Sequence, residues 1–372
     1  MKQLTLLLWL LSLTSFVSVA SVADLAEAPT ARCPAPDRPY CIADIPYTTD
    51  EILARLGTNQ QALWVDEEEQ ELTFVYRGYA DWVALSHSLG ETMERLNDGN
   101  LWVLTVRIEN LSQAVISYVF LINGRRAIEG GLYRGVDSPR SPERIPTLRG
   151  EILQTSLEMP HDTSIRDLTI YLPPNHNPEQ TYPVVYSADG SAVAELAHYI
   201  EPLIHDDEIE AIILVGVHSS EYRREEYIPA IDWERFYAHE VFLTKVVREW
   251  AEETLGASPE RDDRGVFGVS NGGVFAMTMA LRHPDLYGHS FPFSAGVNPL
   301  RQVPTLQVDN TVQYYFVAGY LEEGFYRTTN WLYEHVSDSG AEATFRPWVS
   351  GHDWVIWAES FPDAVRSAFG TS

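Results

Sequence analysis

One stretch of the sequence, residues 266–275, constrains the fold more than any other. It reads as a short apolar strand, then Gly268-Val269-Ser270-Asn271-Gly272, then a helix. The two glycines let strand and helix pass closely, because neither carries a Cβ atom. Ser270 would sit on a strained turn, and the backbone N–H of Asn271 would point toward an oxyanion formed there. The alternative is a glycine-rich turn that merely contains a serine.

Strand-like and helix-like segments alternate from about residue 151 to the end. This alternation predicts an α/β domain with a mostly parallel sheet, in which ligands bind beyond the carboxyl ends of the strands. Ser270 would lie at that edge. The predicted strands cover residues 168–172, 182–187, 211–217, 265–268, 290–294, 312–318 and 344–349. The predicted helices cover residues 191–204, 234–255, 271–283, 325–338 and 354–368.

The preceding part of the chain has a different pattern. Residues 46–150 contain several short strand-like runs, which indicate a small β-sandwich domain. The segment 134–149 is rich in proline and charge and is predicted to connect this domain to the α/β domain, residues 151–372. Residues 21–45, rich in alanine and proline, are predicted to form a linker.

The first 20 residues are typical of a secretory signal peptide. A basic residue precedes an apolar run, and small residues favour cleavage near Ala20 or Ala23. The mature protein is therefore expected in the periplasm or outside the cell. Its only two cysteines, Cys33 and Cys41, are predicted to form a disulfide in that oxidising compartment. Their spacing excludes a CxxC redox or metal site.

Composition narrows the range of partners. The formal net charge is −27, from 53 acidic and 26 basic residues. Such acidity argues against nucleic acid and anionic membrane surfaces. No segment after the signal peptide approaches the length of a membrane span, so no integral membrane association is expected. The sequence leaves the oligomeric state open.

A serine nucleophile needs a base and an acid that orients the base. His352 follows the last predicted strand, and Glu322 follows the strand before it. Glu323 and Asp353 are alternatives for the orienting acid. The order Ser270, Glu322, His352 is the nucleophile–acid–base order of α/β-hydrolases. Histidines in predicted loops remain open as alternative bases: His161, His176 and His218.

The second oxyanion donor is expected in a loop after an earlier strand. Gly190 and Ser191 follow the predicted strand 182–187 and open a predicted helix, so their backbone N–H groups are candidates. The alternative is an ordinary helix start with Asp189 or Ser191 as its cap.

These residues resemble the esterase D-like branch of the α/β-hydrolases, and within it the enterochelin (ferric enterobactin) esterases. The motifs that carry the resemblance are Gly268-Val269-Ser270-Asn271-Gly272-Gly273, Ala318-Gly319-Tyr320-Leu321-Glu322, Gly351-His352-Asp353-Trp354 with Trp357, and the segments 168–174, 182–190 and 223–229. The resemblance implies an early-set, immunoglobulin-like sandwich before the hydrolase domain. It also implies that Arg223 and Arg224 are basic substrate-binding groups.

The expected function is that of a periplasmic or secreted serine carboxylesterase for a small-molecule ester, with a ferric siderophore as one candidate substrate. Neither a metal nor an organic cofactor is expected. One alternative is a carbohydrate-associated esterase that removes acetyl or feruloyl groups. A non-enzymatic alternative is a siderophore- or glycan-binding protein on a hydrolase fold.

Overall fold

The structure is a computed structural model, which describes residue 33 and residues 39–96, 99–140 and 144–371, except the side chains of residues 126–129. The predicted signal peptide and most of the predicted linker lie outside the described residues. No helix in the described part of the chain is long and apolar enough to cross a membrane.

The N-terminal part consists of two antiparallel sheets around a shared core. Its elements are β1 (Tyr40–Ala43), α1 (Thr49–Leu56), β2 (Gln61–Asp66), β3 (Glu71–Arg77), β4 (Val83–His87), β5 (Glu94–Leu96), β6 (Leu101–Ile108), a 3-10 turn (Leu111–Gln113), β7 (Val115–Ile122) and β8 (Arg125–Arg134). One sheet has the order β1-β6-β3-β2 with β5 also paired to β6, and the other has the order β4-β7-β8. Aromatic contacts join the two, as in Phe74 of β3 against Tyr118 of β7 at 4.9 Å between ring centroids.

The C-terminal part is an eight-stranded sheet with helices on both faces. Its strands are β9 (Glu151–Glu158), β10 (Ile165–Leu172), β11 (Val184–Ser187), β12 (Ile213–Val217), β13 (Arg264–Val269), β14 (His289–Phe293), β15 (Gln313–Gly319) and β16 (Ala343–Trp348). Its α-helices are α2 (Val193–His205), α3 (Arg223–Tyr227), α4 (Trp233–Val241), α5 (Arg248–Leu255), α6 (Asn271–Arg282), α7 (Pro299–Gln302), α8 (Glu323–Asp338) and α9 (Trp354–Phe369). Two 3-10 turns (Gly190–Ala192 and Arg261–Asp263) and one π-helical segment (Phe242–Val247) complete it.

The sheet order is β16-β15-β14-β13-β11-β12-β10-β9. The strands from β11 to β16 pair in parallel. Neighbouring residues of a strand point to opposite faces. In β13, Val266 accordingly packs into the core that contains Phe275 of α6, while Phe267 packs into the core that contains Phe361 of α9. The carboxyl ends of these parallel strands therefore meet at one edge of a sheet buried on both faces.

Each of the seven predicted strands overlaps an observed strand of this sheet. The sheet differs from the prediction at β9 and β10, the two strands beyond β12. β9 and β10 join it in antiparallel direction. β9 was missed because it is an edge strand whose residues are exposed or half-buried, so it lacks the continuous apolar run of a central strand.

Two predicted segments also need correction. The predicted linker 21–45 contains β1, which pairs with β6 and so belongs to the first sheet. The predicted helix 234–255 is divided into α4 and α5 by the π-helical segment Phe242–Val247.

The predicted disulfide between Cys33 and Cys41 is confirmed, with the two Cα atoms 5.4 Å apart. It ties residue 33 to β1, where the backbone N–H of Cys33 also donates to the carbonyl of Ile42 at 3.1 Å. A cross-link between residues eight positions apart restricts the unfolded chain.

We expect the oxidised protein to unfold at a temperature a few degrees above that of the reduced protein, because closing so short a loop stabilises the fold by about 2–3 kcal/mol. Thermal unfolding with and without reductant measures the shift. The Cys33→Ser/Cys41→Ser variant should not respond to reductant. An intact mass that reductant leaves unchanged, rather than raising it by about two daltons, would contradict the disulfide.

Candidate active site

Ser270 lies between the last residue of β13 and the first residue of α6. Its backbone has φ +59° and ψ −122°, a conformation that non-glycine residues adopt at a cost of about 1–3 kcal/mol. The turn is held by the N–H of Ser270, which donates to the carbonyl of Phe293 at 3.0 Å. A Cβ atom at Gly268 would collide with the backbone of Gly272, so strand and helix approach this closely only with glycine there.

His352 lies in the short connection between β16 and α9. Its ring packs between Phe325, with centroids 4.1 Å apart, and the edge of Trp357, at 4.7 Å. Its Nδ1 atom hydrogen-bonds to the carboxylate of Glu322. The orientation of the imidazole is therefore set by two aromatic rings and one carboxylate.

Glu322 precedes α8, and its side chain is buried. Oε2 contacts His352, while Oε1 accepts from the N–H of Gly319 at 2.7 Å and from Ser294 Oγ at 2.5 Å. Ser294 in turn accepts from the indole N–H of Trp357 at 2.8 Å. These donors satisfy a carboxylate that has little contact with water.

Neither alternative acid contacts His352. Glu323 is exposed and lies 3.7 Å from Arg327 on the next turn of α8. Asp353 is buried, but its Oδ1 accepts from the N–H of Val355 at the start of α9. Of the three predicted carboxylates, the structure brings only Glu322 to the histidine.

The predicted oxyanion donors lie at two helix starts. Gly190 and Ser191 open the 3-10 turn after β11, and Asn271 opens α6. The first N–H groups of a helix have no acceptor within it, so they are available to an anion. A Cβ atom at Gly190 would lie 2.8 Å from the backbone nitrogen of His218, which explains the glycine.

Arg223, predicted to be a basic substrate-binding group, is paired with an acid. Its Nε and Nη2 atoms donate to the Asp189 carboxylate at 2.7 and 2.8 Å, and Nη2 also donates to the carbonyl of Val269 at 3.2 Å. Burial opposes the charge on Arg223, but Asp189 outweighs this effect and raises the pKa of the guanidinium. The pair joins the loop of Gly190 to the strand that precedes Ser270.

Two sequence-based expectations change as a result. Asp189 occupies the cap position of the 3-10 turn but makes no capping hydrogen bond, because its carboxylate is paired with Arg223. Arg224 is exposed. Of the two arginines predicted to bind substrate, Arg224 alone therefore remains accessible to a ligand.

The other candidate histidines lie apart from Glu322. His176 bonds through Nε2 to the carbonyl of Leu255, and His161 packs edge-on against Tyr237. His218 bonds to Thr169 beside Gly190, and burial lowers its pKa.

The site residues follow the carboxyl ends of neighbouring strands. Asp189 and Gly190 follow β11, Ser270 follows β13, Glu322 follows β15 and His352 follows β16. Ser294, which follows β14 and has φ +46°, was not predicted from the sequence. The signal for it was the same as for Ser270, Glu322 and His352: a polar residue just past the end of a strand. Among the described residues, no cluster of three or more His, Cys, Asp or Glu side chains suits a metal ion.

We expect Arg223→Gln to lower the unfolding temperature by a few degrees, because removing one partner of this partly buried ion pair costs about 2–3 kcal/mol. Arg224→Gln is the matched control and should change it by no more than about a degree, since surface substitutions are nearly neutral. Thermal unfolding of both variants measures the difference. Equal effects would contradict the structural role of the Asp189–Arg223 pair.

The chain is similar to several known proteins. Residues 159–314 match the protein family described as "Putative esterase". YbbA of Bacillus subtilis, an uncharacterized protein, is 28% identical over 140 residues, which are 34% of this chain and 56% of YbbA. The chain thus spans about half the length of that relative. YjcH, another uncharacterized protein of B. subtilis, is 22% identical over 54% of this chain and 89% of its own length.

Solved esterases share the fold. The ferric enterobactin esterase of Salmonella typhimurium has a TM-score of 0.65 at 14% identity and covers 84% of this chain and 97% of its own. The enterobactin esterase of Shigella flexneri has a TM-score of 0.63 at 14% identity, with 86% and 98% covered. A ferulic acid esterase has a TM-score of 0.52 at 18% identity and covers 60% of this chain and 98% of its own. Residues 159–314 thus match an esterase family, and the chain shares the α/β-hydrolase fold of the solved esterases.

Proposed function

We propose that this protein is an exported serine carboxylesterase that uses Ser270 as nucleophile, His352 as base and Glu322 as orienting acid. The observation that carries the proposal is the hydrogen bond from His352 Nδ1 to the buried Glu322, at the sheet edge where Ser270 occupies its strained turn. A carboxylate on Nδ1 leaves Nε2 as the proton acceptor and stabilises the imidazolium.

The reaction follows from these roles. Ser270 Oγ attacks the ester carbonyl while His352 Nε2 takes its proton, which gives a tetrahedral oxyanion. The N–H groups of Asn271 and of Gly190 or Ser191 stabilise that oxyanion, and each such donor contributes about 100- to 1,000-fold in rate. His352 then protonates the leaving alkoxide, and an acyl-enzyme remains on Ser270. Water, activated by the same histidine, hydrolyses the acyl-enzyme and restores the serine.

The signal peptide predicted from the sequence and the Cys33–Cys41 disulfide support export, since disulfides persist in oxidising compartments. We assign residues 151–372 to the esterase domain and the two preceding antiparallel sheets to an early-set β-sandwich domain.

Two substrate classes are candidates. The structures of enterobactin esterases cover both parts of this chain, which favours a ferric siderophore ester. The net charge of −27 and the pairing of Arg223 with Asp189 favour an uncharged ester, such as a feruloyl or acetyl ester of a carbohydrate, because a trianionic ligand would approach against the field.

We expect Ser270→Ala to reduce hydrolysis of a small aryl ester at least about 1,000-fold, because the triad serine contributes about a millionfold. Initial rates with the purified protein measure the loss, and unchanged thermal unfolding excludes a folding defect. Ferric catecholate, feruloyl and acetyl esters tested in parallel identify the substrate class. A variant that keeps more than about a tenth of the rate would exclude Ser270 as nucleophile. Wild-type protein that binds these ligands without cleaving them would indicate the binding-protein alternative.

We expect Glu322→Gln to lower kcat about 100-fold or more, because an isosteric amide favours the wrong tautomer of the base. Glu323→Gln is the matched control: its side chain is adjacent in sequence but points to solvent, so kcat should remain within about twofold. Steady-state kinetics at neutral pH separate the two variants. Loss in both or in neither would contradict the assignment of Glu322.

A further inference from the structure

The connection that carries His352 lies against the N-terminal part of the chain. Ser88 follows β4, and Ser117 lies on the neighbouring strand β7. Two hydrogen bonds join the serines. The backbone N–H of Ser88 donates to the carbonyl of Ser117 at 3.1 Å, and the backbone N–H of Ser117 donates to the side-chain Oγ of Ser88 at 3.0 Å. Sheet pairing thus places their hydroxyl groups side by side.

Both hydroxyl groups donate to Asp353, the residue after His352. Ser88 Oγ lies 2.5 Å from Asp353 Oδ2, and Ser117 Oγ donates to the same oxygen. The other oxygen, Oδ1, accepts from the N–H of Val355 at 2.9 Å and caps α9. Asp353 is 1% exposed, so these three donors, rather than water, stabilise its carboxylate.

The backbone around His352 makes further contacts with the same sheet. The N–H of Val115 in β7 donates to the carbonyl of Val349 at 2.9 Å. A Cβ atom at Gly351 would collide with the backbone of Ser88, so the two chains touch directly. Residues on both sides of His352 are therefore in contact with the N-terminal sheet.

The orienting acid is supported from the same side. Leu321, the residue before Glu322, packs in the hydrophobic core of the N-terminal sheets. Its N–H donates to the carbonyl of Ser350 at 2.8 Å, which links the segment of Glu322 to the segment of His352. The base and its acid thus share one support.

We infer that Ser88 and Ser117 are positioning residues, through which the N-terminal sheet completes the active site by fixing Asp353 and with it the ring of His352. The inference rests on the proposed roles of Ser270 and His352. Without the two hydroxyl groups, the Asp353 carboxylate would lose two of its three donors and move toward water, taking the adjacent histidine with it. A displacement of about 1 Å of a catalytic group costs about 100-fold in rate.

The test compares two double variants, each of which removes two hydroxyl groups from the N-terminal part. Ser88→Ala/Ser117→Ala removes the donors of Asp353. Thr73→Val/Thr105→Val is the matched control, because these hydroxyl groups bond only to each other, at 3.0 Å, and are 3% and 1% exposed. Ser117→Thr keeps a hydroxyl group and serves as the conservative variant.

We expect Ser88→Ala/Ser117→Ala to lower kcat for a small aryl ester about 100-fold with KM changed less than about threefold. The control and Ser117→Thr should keep kcat within about threefold. Hydrogen–deuterium exchange without substrate gives a second readout, independent of activity: amides of residues 349–355 should exchange faster in the serine variant than in the control. If the double variant does not fold, Ser117→Ala alone should show both effects, with a loss in kcat of about tenfold.

Unchanged exchange at residues 349–355, or faster exchange with kcat at the level of the control, would overturn the inference. Equal kcat losses in the serine variant and in the threonine control would overturn it too, because they would reflect general destabilisation. Failure of the proposed function is recognised separately: wild type and Ser270→Ala would hydrolyse the ester equally slowly. That result would remove the proposed effect of Ser88 and Ser117 on catalysis, whatever the exchange data show.

Discussion

The strained turn at Ser270 is the constraint on which the rest of the site depends. A non-glycine residue at φ +59° persists only where its surroundings hold it. Here the turn joins β13 to α6, which pack closely against each other at Gly268 and Gly272, and the carbonyl of Phe293 on β14 accepts from the N–H of Ser270. The neighbouring parallel strands then bring Ser294, Glu322 and His352 to the same edge, because parallel strands end together. The sheet therefore brings together the loops that carry the candidate catalytic groups.

A buried polar chain connects these loops. The indole of Trp357 donates to Ser294, Ser294 donates to Glu322, and Glu322 holds His352. Such a network is stable only when each member has a partner, since an unpaired buried polar group costs about 1–3 kcal/mol. The Asp189–Arg223 pair serves the other side of the site in the same way, between the loop of Gly190 and the strand before Ser270. One polar link therefore supports His352, the proposed base, and another supports the loop with the predicted oxyanion donors.

Much of this arrangement was predictable because its signals are local. The sequence around Ser270, and residues Glu322 and His352 just beyond predicted strands, each needed only a short window of sequence. The partner of Arg223 was not predictable, because a charged residue near a strand end is compatible with either a ligand or a buried ion pair. The contacts of Asp353 were also beyond reach, since they join it to residues 265 and 236 positions away, Ser88 and Ser117. The sequence around a serine in a β-strand does not indicate a partner that is so far away along the chain.

The same long-range contacts bear on the role of the N-terminal sheets. An accessory domain that only bound substrate would need a surface near the site but no contact with the catalytic segments. Here Val115 and Ser88 of the N-terminal part contact the segment of His352. Leu321, next to Glu322, packs into the core of the N-terminal sheets. Hydroxyl donors on a rigid β-sheet suit this task, because neighbouring strands fix their separation and little side-chain entropy is lost. The proposed active site is thus a product of both parts of the chain: the parallel sheet sets where its loops begin, and the antiparallel sheets limit how far two of them can move.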